Sequence, residues 1–381
     1  MTRNAQPQAG RCLTRIDAHC HSRASDGPAL AALGFVGCPE SYSPPEKVYE
    51  QARARGMDLV TLTDHDTIKG GLELVERGFQ GFILGEEVTV YFPEDRCKLH
   101  VLVWGLSPEQ HEQIGTFGLR NDVYAFAHWL REQQLAHALA HPLYIQNARF
   151  NRWHLERSAL LFKGFETLNG AHPGSQKSTL DRFFASLTPG RLLELAKVHE
   201  LEPLWERSWE KATTAGSDDH ALLNIGRTWT QIASDAPVSD PREFFRLVMK
   251  GRSTVGGVGG HASLLAHQLT SVGAKWYART RSKPRSARRR YARSRMLRFV
   301  GVDERAPGPF ALAVDTIKRK LRPRKRLPLL PALRQTLNPI LCRYPTLREK
   351  LHPSAWDDGP PIAEHEAMEQ FVIDLSHAIG D

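Results

Sequence analysis

The chain contains few cysteines and no long apolar run. Its 381 residues include only five cysteines, which are widely separated: Cys12, Cys20, Cys38, Cys97 and Cys342. This number and spacing exclude a disulfide framework and a Cys-x-x-Cys zinc site. No apolar stretch approaches the roughly 18 residues of a membrane span, and the N-terminal residues lack the apolar segment of a secretory signal. We therefore expect a cytoplasmic protein in which any metal site is built from histidine and carboxylate side chains.

Net positive charge is confined to one segment of the chain. Residues 275–350 contain 23 lysines and arginines against four acids, a net charge of +19, so the whole-chain charge of +9 leaves −10 for residues 1–274 and 351–381 together. The composition changes after the glycine-rich stretch Gly256–Gly260. We therefore predict an acidic body over residues 13–260. A basic, Pro-interrupted and partly helical extension would follow over residues 261–381, with a terminal helix over residues 362–379.

The extension carries no P-loop and no glycine-rich dinucleotide signature. Its densest basic point is Arg288-Arg289-Arg290. Such a segment is suited to binding nucleic acid, an acidic partner or anionic lipid. A basic helix that packs on the acidic body, or a solvated segment, would explain the same composition.

Histidines and acids follow the predicted strands of the body. The first strand runs into His19 and His21, which are spaced to share one of its faces, with Cys20 on the other. Asp26 follows in the next loop. Later strands lead to the same residue types: His65, Glu87, His100, His141, and Asp218 with His220. Because histidine is the commonest side-chain metal ligand, the strand ends predict parts of a metal site.

Predicted helices separate these strands. The first opens on Ser43-Pro44-Pro45-Glu46, which offers an N-cap serine, a proline at the first helical position and a glutamate at the third. Strand and helix alternate seven or eight times through the body, which favours a parallel sheet of βα units. In a closed barrel the C-terminal ends of the strands meet at one mouth. The predicted loops 27–42 and 144–162 would then select the substrate.

Each of these residues also has an ordinary explanation. A histidine in a loop is more often solvated than bound to a metal, and Glu86 with Glu87 could form a surface pair. The repetition of the same residue types at six strand ends favours a shared site instead.

In their order and spacing, the motifs resemble those of the PHP (polymerase and histidinol phosphatase) metal-dependent hydrolases. The motifs are His19-x-His21 with Asp26-Gly27, Thr63-Asp64-His65-Asp66, Gly85-x-Glu87, His100, Ala140-His141-Pro142 and Gly216-Ser217-Asp218-x-His220. The resemblance implies a distorted (β/α)7 barrel of the PHP type that holds two or three divalent ions, with zinc, manganese and iron as candidates. It also selects Glu87 over Glu86 and Asp218 over Asp219.

The resemblance further implies how the ligands are shared. One metal would be held by His19, His21 and Asp218. Glu87 would bridge to a second metal, which His100 and His141 also bind. The third would take Asp26, His65 and His220. No ligand position is missing from the sequence, which is expected of an active enzyme.

Nitrogen and oxygen donors without thiolate suit zinc, manganese or iron. A cluster of such ions lowers the pKa of a bridging water, and the resulting hydroxide can attack a phosphoester in line. We therefore predict hydrolysis of a phosphomonoester in a phosphorylated small molecule. Arg227 is the candidate catalytic contact to the phosphate, with a surface arginine as the alternative.

Two other functions fit the same sequence. A phosphodiesterase or 3′-5′ exonuclease would use the metals in the same way, and the basic extension would attract the nucleic acid. Alternatively, the barrel would be a scaffold whose extension binds nucleic acid or an acidic partner.

Overall fold

The computed structural model describes residues 11–25, 39–144, 146–147, 149–280 and 294. The predicted ligand Asp26, the predicted helix over residues 362–379 and most of the basic extension lie outside the described residues. Among the described helices, none has the length and apolar content that a membrane crossing requires.

The described part of the chain contains nine strands and nine α-helices. The strands are β1 (Cys12–Asp17), β2 (Leu59–Leu62), β3 (Phe82–Tyr91), β4 (Lys98–Trp104), β5 (Ala136–Leu139), β6 (Gly164–Asn169), β7 (Ala212–Gly216), β8 (Thr228–Ser234) and β9 (Ser253–Gly257). The helices are α1 (Pro45–Ala54), α2 (Lys69–Glu76), α3 (Pro108–Thr116), α4 (Val123–Glu132), α5 (Arg152–Leu161), α6 (Ser175–Ser186), α7 (Pro189–His199), α8 (Pro241–Met249) and α9 (Ala262–Thr280).

All nine strands belong to one sheet, in the order β7-β6-β5-β4-β3-β2-β1-β8-β9. The sheet curls until its ends nearly meet. The backbone N–H of Ala18 donates to the carbonyl oxygen of Ala215 over 3.3 Å, and the N–H of Ala215 donates to the hydroxyl of Thr230 over 2.8 Å. The α/β class and the barrel-like sheet predicted from the sequence are therefore confirmed.

The expectation that all strands of the sheet are parallel is wrong. Strand β4 pairs antiparallel with both β3 and β5, and β8 pairs antiparallel with β1 and β9. Only residues 92–97 join β3 to β4, a connection too short for the crossover that a parallel pair requires. As a consequence, His100 lies near the N-terminal end of β4, and that end shares the mouth with the C-terminal ends of the parallel strands.

Gly216 lies where β7 approaches the segment that follows β1. A Cβ atom at this position would lie 2.3 Å from the backbone nitrogen of His19. No side chain fits there, so glycine allows the two strand ends to approach each other. The same approach brings the segments that carry His19 and Asp218 together.

Helix α8 closes the end of the barrel opposite the mouth. Asp240 caps the helix by accepting from the N–H of Arg242 over 3.0 Å. The buried Phe245 of this helix stacks on Trp104 of β4, with the ring centroids 4.4 Å apart. Ile16 and Leu102 belong to the same apolar cluster, which therefore forms a packed floor beneath the polar mouth.

Helix α9 begins just after the predicted domain boundary at residue 260. Its Val272 is buried in a cluster with Tyr42 and Ala221, and Lys275 donates to the carbonyl oxygen of Ala221 over 2.7 Å. The first part of the predicted extension thus packs on the body. The boundary itself remains a prediction.

Two local predictions are wrong. Helix α1 has Pro44 as its N-cap, without a side-chain cap, because the hydroxyl of Ser43 donates to the carbonyl oxygen of His220 instead. The predicted loop 144–162 contains helix α5, which Asn151 caps by accepting from the N–H of Trp153.

Candidate metal centre

The structure brings eight of the nine predicted ligands to one mouth of the barrel. Beyond β1 the chain stays extended, and Cys20 forms a β-bridge with Asp219. This extended segment places the imidazoles of His19 and His21 at the mouth. Cys20 itself points the other way and donates to the carbonyl oxygen of Thr61. The eight are His19 and His21 after β1, His65 after β2, Glu87 in β3, His100 in β4, His141 after β5, and Asp218 and His220 after β7. The ninth, Asp26, lies outside the described residues.

Glu87 lies at the centre of this cluster and is fully buried. Five imidazoles surround its carboxylate. Oxygen Oε2 lies 3.0 Å from His19 Nε2, 3.2 Å from His21 Nε2 and 3.2 Å from His65 Nδ1. Oxygen Oε1 lies 2.8 Å from His100 Nδ1 and 3.0 Å from His141 Nε2. One carboxylate can therefore serve more than one ion.

Glu86 points to the other face of β3, as strand alternation requires. It is also fully buried, but its partners lie outside the cluster: His111 Nδ1 at 2.7 Å and Arg120 Nη2 at 3.1 Å. Its charge is therefore already balanced by neighbouring side chains.

Asp218 and Asp219 separate in a similar way. Asp218 Oδ1 lies 3.5 Å from His19 Nε2 and 3.4 Å from His21 Nε2. The carboxylate of Asp219 instead accepts hydrogen bonds from the backbone N–H groups of residues 221–224. Asp218 thus faces the cluster, while Asp219 holds the loop that presents it.

Two residues of the cluster have left-handed backbones. His141 has φ 28° and Asp218 has φ 50°, conformations that cost non-glycine residues on the order of 1–3 kcal/mol each. Each N–H is held by an acceptor in the site: Glu166 Oε2 lies 2.8 Å from the nitrogen of His141, and the carbonyl oxygen of His19 lies 2.7 Å from that of Asp218. The surroundings therefore impose these conformations.

A second layer of side chains orients the histidines. Glu166 Oε1 lies 3.0 Å from His19 Nδ1. His21 Nδ1 lies 3.0 Å from the hydroxyl of Ser25, which itself donates to Asp64 over 3.0 Å. Both Nδ1 atoms therefore carry the hydrogen, and both Nε2 lone pairs point into the cluster. Metal-binding histidines are commonly oriented in this way.

This donor set fits a metal ion. His19 Nε2 and His21 Nε2 lie 3.0 Å apart, and the oxygens of Glu87 and Asp218 lie within 3.5 Å of each. In the neutral tautomers, all four atoms are acceptors with no hydrogen between them. Only a cation, either a proton or a metal ion, can bring them together at these distances.

The pKa values reflect the same excess of negative charge. Burial disfavours the charged form of His19, but Asp218 and Glu87 outweigh it and raise its pKa well above the usual value. Burial likewise opposes charge on His65, yet Glu87 and Glu40 raise its pKa to about 9. A field that attracts protons this strongly also favours a divalent cation.

Four groups of three residues have ligand atoms within 4.8 Å of one another: His19, His21 and Glu87; His19, His141 and Asp218; His65, Glu87 and His100; and His21, His65 and His220. Neighbouring groups share a residue, so the mouth is suited to adjacent ions with common ligands. How ligands are divided among two or three ions remains a prediction.

Arg227 is exposed at the surface in the segment between β7 and β8. Its guanidinium lies 3.4 Å from Asn224 Oδ1. Among the described residues, no hydrogen bond or ion pair joins it to the cluster. A contact between Arg227 and a phosphate remains a prediction.

Sequence reasoning missed three side chains at the mouth: Glu40, Glu166 and His172. Glu166 is an acid inside a strand whose residues are all buried, and a buried acid normally has a partner, so this signal was present. His172 repeats the Ala-His-Pro pattern of His141, at residues 171–173, and its Nε2 lies 3.7 Å from Asp218 Oδ2. Glu40 comes from a loop without a recognisable pattern.

The chain matches no protein-family model. An uncharacterized protein of Methanocaldococcus jannaschii is 30% identical over 107 residues, covering 25% of this chain and 57% of that protein. The chain therefore matches little more than half the length of this relative, and the match does not establish a family.

Three solved structures show limited similarity to this chain. A protein described as a candidate metal-dependent phosphoesterase from Bifidobacterium adolescentis has a TM-score of 0.36 and 16% identity, over 62% of this chain and 96% of that one. An amidohydrolase from Chromobacterium violaceum, with sulfate bound and no metal, has a TM-score of 0.35 and 19% identity, over 63% of this chain and 97% of that one. PsfC from Pseudomonas syringae has a TM-score of 0.38 and 13% identity, over 70% of this chain and 99% of that one. At these low scores, the side chains of the mouth must support any functional proposal.

Proposed function

We propose that the protein is a metal-dependent hydrolase that cleaves a phosphomonoester of a small molecule. The observation that carries the proposal is the convergence of imidazole nitrogens and carboxylate oxygens around Glu87, with acceptor atoms facing one another at about hydrogen-bond distance. The choice of a phosphoester comes from the resemblance of the motif set to the PHP hydrolases. The expected ions are two or three of zinc, manganese or iron, which match the nitrogen and oxygen donors.

Divalent ions, when bound, would lower the pKa of water and neutralise the charge that develops on a phosphoryl group. The chain supplies the geometry. Glu166 and the Ser25–Asp64 pair keep the Nε2 atoms of His19 and His21 directed into the mouth. Burial of these residues excludes bulk water and strengthens their electrostatic interaction with a charged substrate.

Arg227 is our candidate for binding the phosphate, because an arginine presents several N–H donors to phosphate oxygens. Arg227→Ala should raise the KM for the phosphoester about tenfold and leave the number of bound ions unchanged. Steady-state kinetics together with ion counting measure both quantities. An unchanged KM would assign Arg227 to the surface.

A phosphodiesterase or 3′-5′ exonuclease is the second candidate, supported by the net charge of +19 in residues 275–350. Basic segments attract the phosphate backbone of nucleic acids. Removal of the residues after 282 should then weaken cleavage of DNA and make it less sensitive to salt. Cleavage that is unchanged by the truncation would argue against the extension as a substrate clamp.

One assay tests the enzyme proposals together. The protein is stripped of metal with a chelator, reloaded with zinc, manganese or iron, and incubated with phosphomonoesters, nucleotide diesters and single-stranded DNA. Turnover of a monoester only by the reloaded protein supports the first proposal, and turnover of a diester or DNA supports the second. Failure to hydrolyse any of them, with bound metal confirmed, would exclude both.

A further inference from the structure

Glu40 reaches the mouth from outside the barrel strands. Its Oε1 lies 3.3 Å from His220 Nε2, and its Oε2 lies 3.4 Å from His65 Nε2. The side chain is only 17% exposed. One carboxylate thus spans two imidazoles that belong to the ends of two different strands, β2 and β7.

The segment around Glu40 is fixed to the mouth by its neighbours. The hydroxyl of Ser41 donates to the carbonyl oxygen of His220 over 2.8 Å, and that of Ser43 donates to the same oxygen over 3.2 Å. Tyr42, between them, packs against Ala221. Glu40 and His220 are therefore held together by contacts that do not involve either of their side chains.

The contact between Glu40 and His220 lacks a hydrogen. His220 Nδ1 lies 3.1 Å from the carbonyl oxygen of Asp218, which can only accept, so this nitrogen carries the hydrogen of the neutral ring. Its Nε2 is then a lone pair that faces a carboxylate oxygen. The Nε2 atom is buried and has no hydrogen-bond partner, so the pair needs a cation, either a proton or a metal ion, between its members.

His65 joins Glu40 and His220, and His21 lies beside them. His65 Nδ1 lies 3.2 Å from Glu87 Oε2, so His65 links Glu40 to the central carboxylate. His21, His65 and His220 have ligand atoms within 4.8 Å of one another, and the rings of His21 and His220 stack with centroids 4.0 Å apart. Imidazole nitrogens with a single carboxylate are a donor set that suits zinc, manganese or iron.

We propose that Glu40 is the carboxylate ligand of a divalent ion held by His65 and His220. The proposal rests on the metal centre of the proposed function and adds a residue that the motif resemblance does not include. The resemblance gives the corresponding role to Asp26, which lies outside the described residues. The chain thus offers two carboxylates for one position, and the experiment must separate them.

Ion counting on the full-length protein tests the proposal without any substrate. Metal-free wild-type, Glu40→Gln and Asp26→Asn proteins are dialysed against increasing Mn²⁺ or Zn²⁺, and bound metal is measured by mass spectrometry. Glu40→Gln should bind one ion fewer per chain at Mn²⁺ or Zn²⁺ concentrations that saturate the wild type, because the remaining ligands hold that ion with lower affinity. Glu40→Asp, which keeps the charge, should recover part of this affinity.

Glu156→Gln is the matched control, because Glu156 also pairs with a histidine, His199, over 2.9 Å and is 11% exposed. It lies outside the mouth, so its ion count should equal that of the wild type. Thermal denaturation of each variant, compared with Glu156→Gln, checks that a lost ion does not reflect a lost fold.

A Glu40→Gln protein with the wild-type ion count and affinities would overturn the proposal, and so would loss of the ion in Asp26→Asn alone. These outcomes are separate from the fate of the proposed function. A wild-type protein that binds its ions without hydrolysing any phosphoester excludes the function and leaves the Glu40 result standing. If the wild-type protein is active and Glu40→Gln binds the same number of ions with the same affinities, only the assignment of Glu40 is excluded.

Discussion

A buried histidine lies near each end of strand β5, and the two histidines have different surroundings. At the end away from the mouth, His137 Nδ1 donates to the carbonyl oxygen of Leu135 over 2.9 Å, and its Nε2 accepts from the N–H of Lys163 over 3.2 Å. At the mouth, His141 Nε2 lies 3.0 Å from Glu87 Oε1, among other imidazoles. Burial alone does not identify a ligand. The distinguishing feature is whether each nitrogen has a complementary partner in the backbone.

The same contrast separates neighbouring acids. Glu86 and Asp219 have partners that donate hydrogens to them, from side chains and backbone respectively. Glu87 Oε2 and Asp218 Oδ1 instead face the Nε2 lone pairs of His19 and His21. The hydrogen-bonding needs of Glu86 and Asp219 are therefore met without an ion. Glu87 and Asp218 need a cation between their oxygens and the facing nitrogens.

Replacing Glu87 should have the largest effect. Glu87→Gln removes the shared negative charge, and we expect loss of bound metal with a fall in kcat of on the order of 10³-fold. Glu86→Gln is the control, because its partners are His111 and Arg120: it should keep its ions and lose only stability. Metal analysis and kinetics measure both variants. Equal metal loss in the two would break the distinction between the two faces of β3.

His137 should make stability depend on pH. Burial lowers its pKa to about 4 from a usual value of 6.5, because removal of the ring from water disfavours its charged form. The stabilisation from the neutral ring is complete above pH 6.5 and is lost as the pH falls toward 4, by about 3 kcal/mol. His137→Gln keeps a donor and an acceptor but does not titrate.

Urea unfolding of metal-free wild type and His137→Gln at several pH values checks this. The free energy of unfolding of the wild type should fall by about 3 kcal/mol more than that of the variant between pH 6.5 and pH 4. Because both proteins contain the same mouth, its titration cancels in the difference. A difference that stays constant with pH would contradict the prediction.

Glu166 should matter through His19 rather than through contact with an ion. Glu166→Gln leaves one oxygen to serve His19 Nδ1, the N–H of His141 and the amide of Asn169. We expect metal affinity to fall roughly 10–100-fold, while Glu156→Gln, outside the mouth, leaves it unchanged. Competition with a chelator of known affinity measures the change. Unaltered affinity would show that the tautomer of His19 does not depend on this carboxylate.

Much of the mouth could be predicted because its ligands follow apolar strands. Strand β2 is buried throughout, and its apolar, β-branched residues identify both the strand and the position of His65 at its end. Parallel neighbours then bring such ends together. The position of the mouth followed from local patterns and one general rule of sheet geometry, whereas the choice of Glu87 over Glu86 and of Asp218 over Asp219 came from the motif resemblance.

Strand β8 and Glu40, which were also missed, lack such a pattern. In β8, the buried positions include Thr228 and Thr230, while Trp229 is only partly buried, so the strand has no apolar alternation. Thr230 is buried because its hydroxyl bonds to the backbone of Ala215, a contact between distant parts of the chain. Glu40 likewise reaches its place through long-range contacts of Ser41 and Ser43 with His220.

Asp219 provides the smallest and most specific test of the contrast. Asp219→Asn keeps one carbonyl oxygen and turns an amide group toward backbone N–H donors of residues 221–224. The metal-free protein should lose about 1–2 kcal/mol of unfolding free energy, whereas Asp218→Asn should lose bound metal with less change in the stability of the metal-free protein. Urea unfolding and ion counting on both variants separate the two effects. Loss of ions from Asp219→Asn as readily as from Asp218→Asn would contradict the prediction. It would mean that hydrogen bonds from the backbone do not distinguish an acid that holds the loop from an acid that binds an ion.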